Sequence, residues 1–407
     1  YICVPRILAM NKVSERINRL AESATLAMAR MSRELKVLGK DVIALSLGEP
    51  DFNTPEFIKD AAKEAINNNF SHYTPVAGLD ELRISISEKF KRDNNLEYTK
   101  DQIVVSTGAK QSLANVCLSL LNPGDEVLLP CPFWVSYSEI IKLAEGIPVE
   151  IPSSVKNNFK ITAGQIEEAI TEKTKMFMFS SPCNPSGSVY TEAELRDIAK
   201  VFEKHPKIFI VSDEIYEHIN FTDEHFSIGR IDSIKERVIT VNGVSKGFAM
   251  TGWRVGFIGA PLWIAKACNK IQGQVTSATC AVAQKATEEA MKSDPKSSTS
   301  HMKDSFLKRR DLLLSELNNI EGIKTNIPDG AFYIFPDVSY YFGKSDGETI
   351  ISNANDLCMY LLNNCYVALV SGAPFGNPEC VRISYAASEE KLLEAAKRIK
   401  NQLANLK

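Results

Sequence analysis

Three short apolar runs, each ending in a polar turn and following one another at about thirty residues, constrain this chain more than any other feature. Lys175 to Phe179 ends in Ser181-Pro182-Cys183-Asn184-Pro185-Ser186-Gly187, and Ile208 to Val211 ends in Ser212-Asp213-Glu214-Ile215-Tyr216. Val238 to Val241 breaks at Asn242-Gly243 into a small-residue turn that carries Lys246. That interval suits a strand, a crossover helix and the return to the next parallel strand. The spacing predicts an α/β fold whose strand ends present Asn184, Asp213 and Lys246, and ligands gather at that edge of an open α/β sheet. No G-x-G-x-x-G follows any of these strands, which argues against a dinucleotide enzyme.

Lys246 stands among Gly243, Val244, Gly247, Phe248 and Ala249, which give little to hydrate an ammonium, and eight residues on comes a second cation, Arg254. A desolvated lysine beside another positive group has a lowered pKa, which is how an amine becomes a nucleophile toward a carbonyl. Arginine's planar fork suits a phosphate. An imine-forming lysine with a phosphate-binding arginine suggests pyridoxal phosphate. The strand Ile103 to Ser106 leads into Thr107-Gly108-Ala109-Lys110 and a helix, and a helix N-terminus opened by small residues is a second phosphate partner.

Val13 to Leu38 has helix-like spacing interrupted by hydroxyls at Ser23 to Thr25, Val42 to Leu47 reads as a strand ending in Gly48-Glu49-Pro50-Asp51, and Thr54-Pro55-Glu56 starts a helix. Glu126 to Leu129 is another strand, opening into Pro132-Phe133-Trp134. Ile271 to Ala290 and Ser305 to Leu317 read as helices, the second with a solvated charge run at Lys308 to Asp311. Strand-like pieces follow at Gly330 to Phe335, Val367 to Val370 and Val381 to Tyr385, then a final helix from Glu389. This tail departs from the regular middle. The expected division is a large sheet domain over 47–290 and a smaller α+β domain built from 13–46 and 291–407, with residues 1–12 an extension of uncertain status.

With 44% apolar residues and a net charge of −3, the chain can build a sizeable core, and no basic block marks nucleic acid or an anionic membrane as a partner. Nine cysteines without a C-x-x-C pair fit free thiols in a reducing cytoplasm better than disulfides or zinc, and no H-E-x-x-H occurs, so no metal is expected. No apolar stretch is long enough for a membrane helix.

Ser245 to Gly256, S-K-G-F-A-M-T-G-W-R-V-G, resembles the cofactor-lysine signature of fold-type I pyridoxal-phosphate aminotransferases, in the subgroup of aspartate and aspartate/prephenate aminotransferases. The resemblance runs from about Val13 to the C-terminus, through S-S-P-C-N-P-S-G-S-V-Y at Ser180 to Tyr190 and K-I-Q-G-Q-V at Lys270 to Val275. Gly247 stands where relatives usually carry alanine, and Ala21-Glu22 where some carry Lys-Pro.

The resemblance implies that Lys246 holds pyridoxal 5′-phosphate and serves as acid and base, while Asp213 pairs with the ring nitrogen and Asn184 and Tyr216 with the phenolic oxygen. Trp134 would stack on the ring, and Arg254, Gly108, Ala109, Lys110 and a partner's Tyr73 would bind phosphate, which requires a homodimer. Gly48, Trp134, Asn184 and Arg382 would frame the amino acid, with Lys110 and Thr25 on a side-chain carboxylate. The expected activity is amino transfer between aspartate or glutamate and 2-oxoglutarate or oxaloacetate, with prephenate as a further acceptor. Aromatic or alanine preference, a lyase on the same fold, and a non-enzymatic regulator are the alternatives.

Overall fold

A computed structural model describes residues 13–222 and 224–407; Cys3 and the 1–12 extension lie outside the described residues. The strands in chain order are β1 (Ile43–Ala44), β2 (Ile103–Ser106), β3 (Glu126–Pro130), β4 (Ile147–Ile151), β5 (Thr174–Ser180), β6 (Phe209–Asp213), β7 (Val238–Gly243), β8 (Gly256–Gly259), β9 (Tyr333–Ile334), β10 (Val367–Ala368), β11 (Val370–Ser371) and β12 (Val381–Ser384). Seven of them form one sheet in the order β2-β8-β7-β6-β5-β3-β4. The block from β4 to β7 is parallel, and β8 runs antiparallel between β7 and β2.

The parallel strands are continuous apolar runs because both faces are covered. Side chains alternate across the sheet. Met176 and Met178 join one layer with Leu113 and Val116 of the helix Ala109–Leu120, whereas Phe177 and Phe179 join another with Ile198 and Phe202 of the helix Glu192–Lys204. Each fully buried side chain of this size contributes about 1.5–3 kcal/mol.

A separate core gathers Val42, Ile43 and Leu45 with Leu313, Phe332, Leu361 and Leu392, so the N-terminal segment is built into the last third of the chain. Its backbone link is β1, which pairs in parallel with β10 through Ile43↔Val367 and Ala44↔Ala368. The predicted strand Val42–Leu47 shrinks to two residues, and Ser46 turns its carbonyl away to Arg382, 2.6 Å distant. The second small sheet is β11-β12-β9, antiparallel throughout.

Several sequence expectations are corrected. The interruption expected at Ser23 to Thr25 falls earlier, between the helices Glu15–Asn18 and Ala24–Val37, with Ser23 at the N-cap of the second. Ile271–Ala290 is divided as well: Leu262–Val275 ends at Thr276, Ser277 takes a left-handed φ of +59°, and Ala281–Lys292 begins anew. Thr54 does not cap its helix, because its hydroxyl donates to the Ala249 carbonyl at 2.8 Å and Pro55 takes the cap position. β7 does not break at Asn242; it runs on through Gly243, which pairs with Gly256. The charge run is a solvated face only in part: Lys308 and Asp311 are exposed, whereas only 12% of the Arg309 side chain is, against Asp51 at 2.7 Å, and Arg310 bonds the Pro328 carbonyl at 2.9 Å.

Eight cysteines, Cys117, Cys131, Cys183, Cys268, Cys280, Cys358, Cys365 and Cys380, are free thiols. Among the described residues no helix is long and apolar enough to cross a membrane.

Candidate active site

The carboxyl ends of β5, β6 and β7 open into a cavity of about 410 Å³, a size that suits a cofactor and a small substrate. Asp213 is the last residue of β6, Asn184 lies just beyond β5, and Lys246 follows the end of β7. Of the residues predicted for the site, Thr25, Gly48, Ala109, Lys110, Trp134, Asn184, Asp213, Tyr216, Lys246, Arg254 and Arg382 all line this cavity. Gly108 lies directly behind it, against Arg254. Tyr73 does not reach its own chain's cavity and is 99% exposed.

Lys246 Nζ donates to the Gly48 carbonyl. Burial pushes its pKa down to about 8, and Arg382 is the leading cation in the same direction, ahead of Arg254. The sequence pointed to Arg254 as the positive neighbour, but the nearer partner in effect comes from the far end of the chain. A pKa of about 8 leaves a useful fraction of free amine near neutrality.

Asp213 is buried, which raises its carboxyl to about 6. Two donors oppose this rise: the Tyr137 hydroxyl at 2.6 Å and the Ile215 N–H at 3.2 Å. A carboxylate kept partly anionic by hydrogen bonds to its charged form is suited to face a cationic ring nitrogen.

Gly108 precedes the helix Ala109–Leu120 with a left-handed φ of +84°, and a Cβ there would overlap Arg254 Nη2. The missing side chain lets the guanidinium lie against the helix start. Arg254 is itself left-handed at φ +58°, and its Nη1 donates to the Thr251 carbonyl at 2.9 Å. Helix N–H groups and an arginine fork thus meet at one point, an arrangement suited to an anion. Beside it the Lys110 ammonium lies 4.9 Å from the Trp134 ring centre, and burial together with Arg254 lowers its pKa.

Arg382, on β12, is 1% exposed and carries no carboxylate partner among the described residues. Its Nη1 donates to Asn184 Oδ1 at 3.0 Å and its Nη2 to the Ser46 carbonyl and, at 3.4 Å, to Thr25 Oγ1. Thr25 therefore meets this arginine rather than Lys110. A buried guanidinium satisfied only by neutral groups is costly unless an anion joins it.

Sequence reasoning missed Tyr137 and Tyr333. Tyr137 lies in the first turn of the helix Ser136–Leu143, and its ring meets Trp134 edge-on at 5.6 Å; its place three residues after a candidate ring-stacking tryptophan was the available signal. Tyr333 sat unremarked within an apolar strand.

Behind the site, Glu214, Glu217 and His225 bring potential metal-ligating atoms within 4.8 Å of one another. Lys89 already sits on Glu217, and Ser212 and Ser227 hydroxyls on Glu214.

A tuned amine, a buried carboxylate, a flat aromatic wall and an anion cradle suit a phosphorylated carbonyl cofactor. Ser180 Oγ and Arg382 Nε are buried donors without partners among the described residues and add capacity for polar ligand atoms. The fold and the site define a pyridoxal-phosphate-type enzyme. The family model described as aminotransferase class I and II matches residues 40–399. The chain belongs to this family, whose members use pyridoxal 5′-phosphate.

Among its relatives, a Petunia hybrida protein named bifunctional aspartate aminotransferase and glutamate/aspartate-prephenate aminotransferase is 45% identical over 97% of this chain and 83% of its own. The aspartate/prephenate aminotransferase of Cereibacter sphaeroides is 44% identical over 97% and 99%. In structure, the aspartate aminotransferase of Rhizobium meliloti superposes with a TM-score of 0.94 at 40% identity, covering 97% of this chain and all of the other. The Thermus thermophilus enzyme with maleate gives 0.91 at 38% identity over 97% and 100%.

Proposed function

We propose that this chain moves an amino group between aspartate or glutamate and 2-oxoglutarate or oxaloacetate, and also onto prephenate. The observation that carries the reading is the cation set of the cavity. Arg254 suits a phosphate, Lys246 a carbonyl carbon, and two further cations, Arg382 and Lys110, remain for the two carboxylates of a dicarboxylic substrate. The names of relatives at 42–45% identity point the same way.

When bound, pyridoxal phosphate supplies a ring that accepts the electron pair left at the substrate's α-carbon. Lys246 would hold it covalently and then take the proton from the substrate's α-carbon as base and deliver it to the cofactor as acid. Asp213 would keep a proton at the ring nitrogen. Asn184 and Tyr216 would bond the phenolic oxygen, and Trp134 would offer a flat face to the ring. Arg254 and the backbone N–H groups of the Gly108, Ala109 and Lys110 turn would hold the phosphate, joined in a homodimer by Tyr73 reaching from one protomer to its partner, which leaves the Lys110 ammonium free. Arg382, Asn184, Gly48 and Thr25 would place the α-carboxylate, with Lys110 on the distal one. Residues 13–46 and 291–407 would act together as the smaller domain against 47–290. The free cysteines suit a cytoplasmic setting.

The test is a single-turnover absorbance assay on cofactor-loaded protein. Aspartate alone should bleach the visible band, and 2-oxoglutarate and prephenate should each restore it. A band restored by 2-oxoglutarate alone removes the prephenate half, and a band that aspartate leaves unchanged defeats the dicarboxylic reading.

A further inference from the structure

Tyr333 stands where the two halves of the cavity touch. Its ring centre lies 4.7 Å from the Arg382 guanidinium, and its hydroxyl lies 2.8 Å from the Tyr216 hydroxyl. The side chain is fully buried on β9, and the Phe332 ring packs against it with centroids 4.8 Å apart. Gly48 completes the arrangement: a Cβ there would overlap the Tyr333 hydroxyl, so only glycine leaves room for it. Gly48 is also the residue whose carbonyl accepts from Lys246. One phenol thus contacts the candidate carboxylate arginine, the candidate tuning tyrosine and the glycine that holds the lysine.

We infer that Tyr333 is a positioning residue that couples occupation of Arg382 to the hydrogen-bonding strength of Tyr216. The inference rests on the roles proposed above for those two residues. Its two ends have separate physics. The ring face attracts the guanidinium and fixes the plane in which Arg382 offers its fork. Either hydroxyl can donate in this pair; once Tyr216 turns its own O–H to the cofactor's phenolic oxygen, the Tyr333 hydroxyl donates to Tyr216 and makes that O–H a stronger donor, because hydrogen bonds in a chain polarise one another. An anion arriving at Arg382 draws the guanidinium toward itself and alters its hold on the Tyr333 ring, and that change passes to the phenol pair. No charged group other than Arg382 has to move.

Tyr333→Phe keeps the ring and deletes the hydroxyl, whereas Tyr333→Leu deletes both. The readouts are the pH midpoint of the visible band in cofactor-loaded protein and the affinity for maleate, a dicarboxylate that carries no amino group. A weaker Tyr216 donor stabilises the deprotonated cofactor less, so Tyr333→Phe should raise the midpoint by roughly half a pH unit while maleate affinity stays within about twofold. Tyr333→Leu should raise the midpoint similarly and weaken maleate about fivefold. Maleate should shift the midpoint in the parent protein, and that shift should shrink in Tyr333→Phe.

An unchanged midpoint in Tyr333→Phe overturns the inference, as does a maleate-induced shift of parental size in that variant. If Tyr333→Leu fails to fold, as a thermal melt would show, Tyr333→Met serves for the ring deletion. A parent protein that forms no visible band, or whose band ignores aspartate, counts against the proposed function instead, so the two failures are told apart.

Discussion

The Tyr137 hydroxyl donates to Asp213 Oδ2 at 2.6 Å in a site where both side chains are buried. Burial raises the Asp213 pKa to about 6, and this hydrogen bond is the largest influence holding it down. Tyr137→Phe removes a donor to the charged form, so the carboxyl must titrate higher still. A hydrogen bond to a charged group contributes about 1.5–3 kcal/mol, so cofactor affinity should fall roughly tenfold to hundredfold. Fluorescence titration of the cofactor-free protein gives the affinity. The acid limb of the rate profile should move to higher pH, and an unmoved limb would show that Asp213 is held by other means.

Lys246 must be uncharged to attack a carbonyl. Its pKa of about 8 reflects burial first and Arg382 second. The rate at which cofactor-free protein takes up pyridoxal phosphate should therefore rise as pH passes about 8. Arg382→Leu removes a cation and should carry that midpoint upward. Lys246→Ala should lower turnover by at least about 10²-fold, the smaller end of a lost acid–base group. Stopped-flow absorbance reads the first two and steady-state assay the third.

Gly108→Ala tests the phosphate cradle. The added Cβ overlaps Arg254 Nη2, and the φ of +84° is one that alanine resists. Displacing a bidentate arginine should weaken cofactor retention at least about tenfold, read as dissociation during dialysis. Lys246 should still react with a carbonyl compound that lacks phosphate, such as pyridoxal, because the lysine turn is untouched.

Glu217→Gln tests the buried cluster behind the site. Burial alone would push the Glu217 carboxyl up, but Lys89 and the imidazoles of His218 and His225 override it and hold it well below the usual range. A depressed folded pKa stabilises the protein above the unfolded value near 4.3 and the gain fades as pH falls toward the folded value. The variant leaves Lys89, 1% exposed, with Asp93 at 3.8 Å as its remaining carboxylate and should cost up to about 3 kcal/mol at pH 7. Denaturant melts at pH 7 and pH 4 should show the gap narrowing in acid. A constant gap would mean that Glu217 does not stabilise as a carboxylate.

The strand ends were legible in the sequence because a parallel strand buried on both faces must be apolar, so its first polar residues announce the edge. Asn184, Asp213 and Lys246 are visible for that reason. Arg382 was legible as a cation inside an apolar run. Tyr137 and Tyr333 were not, because an aromatic side chain in a core and one that bonds a functional group read alike until the partner across the fold is known. β8 was hidden too: Phe257 and Ile258 favour a strand, but the glycines on either side read as breakers, and they are there because a Cβ on Gly256 would meet Ala109 and one on Gly259 would meet Tyr98. The break after Val275 falls at Thr276, whose hydroxyl turns to the Ser277 carbonyl at 3.2 Å, and at Ser277, whose φ of +59° no helix continues through.

The pairing of Ile43 with Val367 has a consequence for how such a chain is made. Some three hundred residues separate the two strands, so during synthesis at about 5–20 residues per second the apolar segment around Val42, Ile43 and Leu45 waits tens of seconds for its partner. The central sheet can form in that interval, but Arg382 has not yet emerged from the ribosome. A nascent chain of this kind exposes a sticky N-terminal stretch while already holding its lysine, and Arg382, the proposed carboxylate partner, joins the cavity only well after Lys246 has been made.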